Sequence, residues 1–362
     1  MSGGTARTPL LAWRNARKTA RESRLARYHG AKDAAFREDG LVPYGRSFLV
    51  ACVAAAMLAA TANAVAADKI RAGKATGETW GYLPLDVGVE EGIFAKYGLD
   101  VEVTVLSGGA RFQQALVSDS IDVGLSGSTA MAQTVKGSPV IAIAATVGAP
   151  RGFAVVVAYD SPIKNVADLK GKTISFATNG SLPDWLVRQL AIGEGWGKGG
   201  VKGVALGSVD ASIAAVQAHQ IDAIMTATEV GLQLQEVQRG RVVTDMGKYA
   251  PTMITQVAYA GQSFVHAKPE QVQRFVNALF ATIAFMRANK ERTVAISARV
   301  FNRSQAVMDK AYDFEITTMS TDGQFSPEGL EVMKDSFVDL AILPEKPTDD
   351  QILTRQFLPA RP

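Results

Sequence analysis

Two stretches of the chain share one pattern of apolar and polar positions. In residues 112–126, small and apolar residues recur at helical spacing, a polar turn follows, and a short apolar run ends at the hydroxyl residue Ser126. Residues 212–226 repeat this order and end at Thr226, at an offset of one hundred residues. Each copy therefore predicts a short helix, a turn and a buried strand. A period of this length indicates two similar α/β lobes rather than a solenoid repeat.

The starts and turns of the two copies also correspond. Each copy contains an Ile-Asp pair, at Asp122 and at Asp222, and each follows a segment rich in glycine and serine. In the second copy Asp210 suits the N-cap position of the predicted helix. Chance similarity between two unrelated helix-strand units is the alternative interpretation.

The length and the charge of the chain restrict the classes of fold and function that it can have. A chain of 362 residues exceeds the usual size of one hydrophobic core, so two domains are expected. The formal net charge is +3, but residues 1–47 carry 10 basic and 4 acidic side chains, which leaves 28 basic and 31 acidic residues for the rest. Because the remaining chain is mildly acidic, nothing favours nucleic-acid binding.

A candidate export signal lies near the start. Residues 47–60 form an uncharged apolar run, Arg46 precedes it, and small residues follow as far as residue 67. This order is typical of a cleavable secretory signal peptide. A membrane anchor is the alternative, but the run is shorter than the roughly 20 apolar residues of a spanning helix.

The residue types that support metal or thiol chemistry are scarce. Cys52, the single cysteine, lies inside the predicted signal peptide, so the mature chain is expected to contain no disulfide and no thiol nucleophile. His219 and His266 are the histidines left after the signal. We therefore expect no metal site, no cofactor and no catalytic residues.

Several motifs in a fixed order resemble one family of proteins. They begin with Glu91-Gly92-Ile93-Phe94 and continue through residues 96–101, 108–109, 115–116, 121–122, 161–163, 168–174 and 268–270. Together they resemble the nitrate/sulfonate/taurine type of periplasmic substrate-binding protein, over residues 68–343. The resemblance implies an α/β fold of the type II periplasmic-binding-protein class, in which two lobes joined by two crossover hinge strands enclose a ligand cleft.

The resemblance also implies domain boundaries and partners. Residues 1–67 would be the basic leader and signal, 68–159 the first part of lobe one, 160–256 lobe two, 257–343 the return to lobe one, and 344–362 a C-terminal tail. The strand at residues 155–159 would end lobe one, and the helix from 270 to 288 with the rest of the chain would pack on lobe one. The protein would be a periplasmic monomer that delivers a small solute to an inner-membrane ABC permease with its ATPase.

Candidate ligand contacts follow from the loops at which strands give way to helices, because α/β sheets bind ligands there. Plain helix capping and turn formation is the alternative for the loop residues. Trp80 is expected to be an exposed aromatic that forms an apolar wall of the site, with a buried core indole as its alternative. The alternative for the charged residues is a solvated or lobe-bridging role. The candidates are Trp80, Tyr82, Gly108, Gly109, Arg111, Ser126, Ser128, Thr129, Asn179, Gly180, Ser181, Thr226 and Glu229.

The charges among these candidates restrict the ligand. Arg111 and Arg151 are the basic residues closest to these loops, and either could pair with a sulfonate or a carboxylate. The N–H groups at the helix start near Ser181 could also hold an anion. Glu229 or Glu78 could meet an ammonium group, which allows a zwitterion such as taurine. Nitrate is less favoured, since a compact anion would need a more basic pocket.

Two alternatives to a transport protein remain at this stage. The same broad family includes thiamine-pyrimidine synthases, so binding or synthesis of a thiamine-pyrimidine precursor is the second hypothesis. Those synthases carry a cysteine-rich motif that residues 68–362 lack, which argues against the enzyme. A ligand-sensing domain of a receptor is the third hypothesis, and the predicted export signal argues against it.

Overall fold

A computed structural model describes residues 67–362, and these contain ten strands and twelve α-helices. The predicted leader and signal peptide lie outside the described residues, apart from Ala67. The strands are β1 Asp68–Lys74, β2 Leu99–Val105, β3 Val123–Gly127, β4 Val140–Val147, β5 Phe153–Ala158, β6 Thr173–Phe176, β7 Lys202–Ala205, β8 Ala223–Ala227, β9 Gly240–Asp245 and β10 Gln256–Gly261.

The helices are interspersed among the strands as far as β10, and a run of helices follows that strand. They are α1 Leu83–Glu90, α2 Ile93–Lys96, α3 Gly109–Val117, α4 Ala132–Val135, α5 Leu182–Gly193, α6 Val209–Gln217, α7 Thr228–Glu236, α8 Gln262–Ala267, α9 Pro269–Ala288, α10 Lys290–Val300, α11 Gln305–Thr318 and α12 Pro327–Asp339. Short 3-10 helices occupy Trp80–Tyr82, Ser128–Met131, Val166–Leu169, Gly247–Tyr249 and Asp349–Gln351.

The strands form two five-stranded sheets with the same plan. Lobe one is built on the order β2-β1-β3-β10-β4, and lobe two on the order β7-β6-β8-β5-β9. In each sheet the first three strands are parallel, and the fourth runs antiparallel to both neighbours. The predicted two-lobed α/β fold is confirmed.

The predicted duplication is also confirmed at the level of single elements. Helices α3 and α6, and likewise strands β3 and β8, begin and end one hundred residues apart. The two aspartates of the Ile-Asp pairs have one role, because Asp122 accepts a hydrogen bond from the backbone N–H of Arg71 and Asp222 accepts one from that of Thr173, both at 2.8 Å. Each aspartate thus ties its turn to the neighbouring parallel strand.

Two expectations about the lobes are corrected. Strand β5, which contains residues 155–158 of the predicted last strand of lobe one, lies in the sheet of lobe two between β8 and β9. The first crossing therefore lies at residues 148–152, and the second, between β9 and β10, lies at residues 246–255. The sequence could not show this, because β5 is buried on both faces and its apolar run fits the centre of either sheet.

The C-terminal helices contact both lobes, not lobe one alone. The predicted long helix is α9, and its apolar face packs in the core of lobe one. However, Asp339 at the end of α12 accepts hydrogen bonds from lobe two, from Trp185 Nε1 and Lys198 Nζ, both at 3.2 Å. Arg188 of lobe two also donates to the Asp339 carbonyl at 2.8 Å. The last helix thus joins the lobes outside the two crossings.

Candidate binding cleft

The hydroxyl-bearing strand ends of both lobes meet the two crossings. After β3, the Ser128 N–H donates to the Thr255 carbonyl at 3.0 Å. After β8, the Thr228 N–H donates to the Gly152 carbonyl at 2.9 Å, and the Thr228 hydroxyl donates to the Arg151 carbonyl at 3.1 Å. The crossings themselves are joined, since the Thr255 N–H donates to the Val147 carbonyl at 2.9 Å. The carboxyl ends of β3 and β8 therefore lie where the lobes join.

The lobe-one side brings together a helix start and hydroxyl groups. A Cβ atom at Gly109 would lie 3.8 Å from the Ser126 hydroxyl, so the start of α3 borders the end of β3. Gly108 is the N-cap of α3, has a φ of 103°, and supplies no side chain to cap the helix. Tyr82 is buried beside Ser126; burial raises the pKa of its hydroxyl, and a hydrogen bond with Ser126 opposes that effect.

Further buried hydroxyls surround this corner. The Tyr259 hydroxyl donates to the Gly127 carbonyl at 2.8 Å, and burial raises its pKa well above the ordinary value, with the nearby Tyr82 adding to that effect. Ser128 is fully buried, and its hydroxyl has no partner among residues 67–362. Because buried polar atoms are almost always hydrogen-bonded, the Ser128 hydroxyl suits a solute or a water molecule.

Trp80 lies in the core rather than in an exposed loop. Only 1% of its surface is accessible, and its ring packs against Phe301 and Tyr312 at centroid distances of 6.3 and 6.1 Å. The expectation of an exposed aromatic wall is therefore wrong for its ring. Its indole Nε1, however, is buried without a partner in the described chain, so a ligand contact through this N–H stays a prediction.

The lobe-two side is acidic. Glu229, in the first turn of α7, is 1% exposed, and neither carboxylate oxygen has a hydrogen-bond partner in the described part of the chain. Burial raises the pKa of Glu229 to about 7, against the lowering influence of its own backbone N–H and of Arg303. Thr226, three residues earlier, also has a buried hydroxyl with no described partner.

Glu315 of α11 is a second buried carboxyl that sequence reasoning missed. A Cβ at Gly152 would stand 2.2 Å from its Oε1, so the carboxyl lies against the first crossing. Burial raises the pKa of Glu315 well above its ordinary value, and the charge of Glu229 raises it further. A signal existed, because Glu315 shares a helical face with the buried Met308 and Ala311. A carboxyl on an apolar helical stripe deserves a functional explanation.

Gln256 and Arg303 complete the surroundings of the cleft, and neither was predicted. The Gln256 side chain lies against Gly81, and its Oε1 is buried without a partner in the described chain. Arg303 pairs with Glu78 at 2.8 Å. Arg303 and Glu78 also line a cavity of about 410 Å³ beside α6 and α7.

Other predicted residues lie apart from this cluster or have local partners. Arg111 and Asn179 are exposed, and Thr129 is half-buried. The Gly180 N–H donates to Asp184 at 2.9 Å, and the Ser181 hydroxyl donates to the Thr178 carbonyl at 2.7 Å. Asp210 lies in the first turn of α6, where Ser208 is the N-cap and accepts from the Ala211 N–H at 3.1 Å.

Two kinds of feature are absent from residues 67–362. No group of three or more His, Cys, Asp or Glu side chains there is arranged to hold a metal ion. In the same residues, no helix is both long and apolar enough to cross a membrane.

Comparison with known proteins decides the family. The sequence model described as "NMT1/THI5 like" matches residues 81–293, which is more than half of the chain. The chain belongs to the NMT1/THI5-like family. A relative in Brucella abortus is 29% identical over 236 residues, which cover 64% of this chain and 71% of the relative; its name gives it a tentative binding role and no ligand. A protein of Brucella suis matches this NMT1/THI5-like protein to the same extent.

Solved structures share the fold. The alkanesulfonate-binding protein SsuA of Xanthomonas axonopodis pv. citri, bound to MOPS, aligns with a TM-score of 0.66 at 18% identity, over 79% of this chain and 98% of SsuA. The periplasmic aliphatic sulphonate-binding protein SsuA of Escherichia coli aligns with a TM-score of 0.67 at 19% identity, over 80% and 92%. The desulfurization enzyme DSZB, with biphenyl-2-sulfinic acid, reaches 0.61 at 16% identity, over 80% and 97%.

Proposed function

We propose that this protein is the solute-binding component of an ABC importer and that it captures a small organic solute between its two lobes. One observation carries the proposal: buried polar atoms without described partners gather where both lobes meet the crossings. They are Trp80 Nε1, Ser128 Oγ, Thr226 Oγ1, Gln256 Oε1 and both carboxylate oxygens of Glu229. A solute that bonds to these atoms from both lobes would favour the closed state over an open one.

The lobe-one corner suits the anionic group of the solute. The start of α3 carries N–H groups and a partial positive charge, and Gly108 leaves it without a capping side chain. The hydroxyls of Ser126 and Tyr82 lie beside it. We propose that a sulfonate or related anion binds here, with Gly108, Gly109 and Ser126 in contact. Arg111, Thr129, Asn179, Gly180 and Ser181 stay as outer contacts in this proposal.

Transport rather than catalysis fits the family and the fold. The sulphonate-binding proteins with this fold are periplasmic, and we extend that location to this protein, together with a cognate permease and a monomeric state. DSZB shows that the same fold also supports an enzyme. The second candidate is a thiamine-pyrimidine precursor as the solute, which the family supports and which an amino group facing Glu229 would suit.

A thermal-shift panel on the full-length chain tests this function. The panel contains alkanesulfonates, taurine, nitrate and 4-amino-5-hydroxymethyl-2-methylpyrimidine. A ligand at one hundred times its dissociation constant stabilises the folded state by about 2.7 kcal/mol, which is a visible rise in midpoint.

Two controls show whether a shift reports binding at this site and whether the compound is left unchanged. Ser126→Ala should weaken the binding of the anion, whereas Ser118→Ala on the exposed end of α3 should not. Recovery of an unchanged compound supports transport, and consumption of the compound would show an enzyme instead. A panel without any shift would contradict the proposed function.

A further inference from the structure

We infer that the solute carries a protonated nitrogen whose N–H groups donate to Glu229 and Glu315, so that this carboxyl pair selects amino-bearing solutes. The inference rests on the proposed function, since it concerns the lobe-two side of the same cleft. It starts from a juxtaposition: Glu229 follows β8 of lobe two, and Glu315 on α11 lies against the first crossing at Gly152. Thr228, the neighbour of Glu229, donates to the Gly152 carbonyl, so both carboxyls lie beside this crossing.

No basic side chain in residues 67–362 forms an ion pair with Glu229 or Glu315. Buried carboxyls in proteins normally face a cation or several hydrogen-bond donors. Elsewhere this chain follows that rule, because buried Lys74 meets Asp86 at 2.6 Å and buried Asp184 accepts from Arg188 and from the Gly180 N–H. Both carboxylate oxygens of Glu229 are buried and make no hydrogen bond within the described residues. The nearby backbone N–H groups of Glu229 and Trp80, together with Arg303, lower its pKa by less than burial raises it.

The charged groups around the pair do not replace a ligand. Arg303 is the cation that acts on Glu229, and its guanidinium is paired with Glu78 at 2.8 Å. Glu78 itself adds negative charge near Glu229. The indole Nε1 of Trp80, buried on the lobe-one side, is neutral. Three carboxyl groups, those of Glu229, Glu315 and Glu78, therefore share one cationic side chain, Arg303.

A nitrogen cation with several N–H groups fits this environment better than a metal ion. Two carboxyls offer acceptors in more than one direction, and an ammonium or amidinium group can donate to both at once. No third metal-ligating side chain joins the pair in residues 67–362. A solute with such a group at one end and an anion at the other would contact the pair and the start of α3 together.

Matched pairs of compounds test the inference on the full-length chain. Taurine and isethionate differ in an amino and a hydroxyl group at the same position, and so do 4-amino-5-hydroxymethyl-2-methylpyrimidine and its 4-hydroxy analogue. Titration calorimetry should show at least tenfold tighter binding of the amino member of one pair. Binding of taurine near pH 7 should also release protons, seen as a dependence of the heat on the buffer, because its ammonium group is already charged in solution and favours the ionised carboxylates.

Variants separate the carboxyl pair from the rest of the cleft. Glu229→Gln and Glu315→Gln keep the shape of the side chains and should each reduce the preference for the amino member at least tenfold. Glu345→Gln, at an exposed position, is the control and should leave the preference unchanged.

Each outcome decides between the two proposals. An amine-free compound that binds as tightly as its amino partner overturns the inference and leaves the proposed function in place. A preference that survives in both glutamine variants also overturns the inference. If no compound binds at all, the proposed function itself fails.

Discussion

The two lobes share a backbone plan and differ in the side chains that they bring to the cleft. Ser126 and Ser128 of lobe one correspond to Thr226 and Thr228 of lobe two, and all four carry hydroxyls. The next position differs, because half-buried Thr129 corresponds to the fully buried Glu229. The duplicated scaffold thus places hydroxyl groups symmetrically, whereas at this pair of corresponding positions the carboxyl group comes from lobe two only.

The N-termini of the corresponding helices α3 and α6 also differ between the lobes. Helix α6 of lobe two is capped by the side chain of Ser208, whereas α3 of lobe one begins at Gly108 without a side-chain cap. A capped start has a donor already satisfied, and an uncapped start keeps it for another acceptor. Lobe one is therefore the better side for an anion, and lobe two for a cation.

The largest expected effect on stability comes from the buried carboxyl group of Glu229 in lobe two. The folded-state pKa of Glu229 is about 7, against an ordinary value of 4.5, so the folded protein holds a proton that the unfolded chain has released in this pH window. Stability should therefore fall as the pH rises from 4.5 to 7, by about 3 kcal/mol for this group. In Glu229→Gln this contribution should disappear, whereas Glu315, whose pKa burial raises well above its ordinary value, should retain a loss of the same sign.

Unfolding midpoints of both proteins at pH 5 and pH 7.5, without solute, check this effect. The variant and the natural protein should be close at pH 5, and the variant should be more stable at pH 7.5. Glu345→Gln is the control and should follow the natural protein. Equal pH profiles for Glu229→Gln and the natural protein would show that the Glu229 carboxyl is not held neutral.

The second effect concerns strand packing in lobe one. Gly124 corresponds to Ile224 of lobe two, and a Cβ at Gly124 would lie 2.2 Å from the Gly73 carbonyl of the neighbouring strand. Gly124→Ala should therefore lower the free energy of unfolding by about 2 kcal/mol, since a backbone atom would have to move. Gly127→Ala on the same strand has open space and is the control. Similar midpoints for the two variants in a chemical denaturation would contradict the close packing.

The smallest effect compares the corresponding hydroxyls of Ser128 and Thr228. Thr228→Val removes the hydrogen bond to the Arg151 carbonyl and should cost about 1 kcal/mol. Ser128→Ala removes a hydroxyl that has no described partner and should leave the solute-free protein at least as stable. Thermal midpoints without solute measure both variants. If Ser128→Ala proved the more destabilising, its hydroxyl would have a protein partner after all.

Local patterns predicted the lobes but not the long-range parts of the site. The helix-turn-strand repeat could be predicted because each copy is a continuous stretch of sequence with its own Ile-Asp pair at the turn. The sheet that receives β5 was not visible, since a strand buried on both faces carries no mark of its neighbours. Glu315 reaches the cleft from a helix that begins after the second lobe is complete, so only tertiary contacts place it beside Glu229.

The route of the chain through the sheets determines which lobe can be assembled first during synthesis. All five strands of lobe two lie between Phe153 and Asp245, without interruption by strands of lobe one. The sheet of lobe one, in contrast, receives β10 between β3 and β4 only after lobe two has been made. Until residue 261 has emerged from the ribosome, β3 and β4 lack the strand that joins them, so the first lobe to begin is the last to be completed.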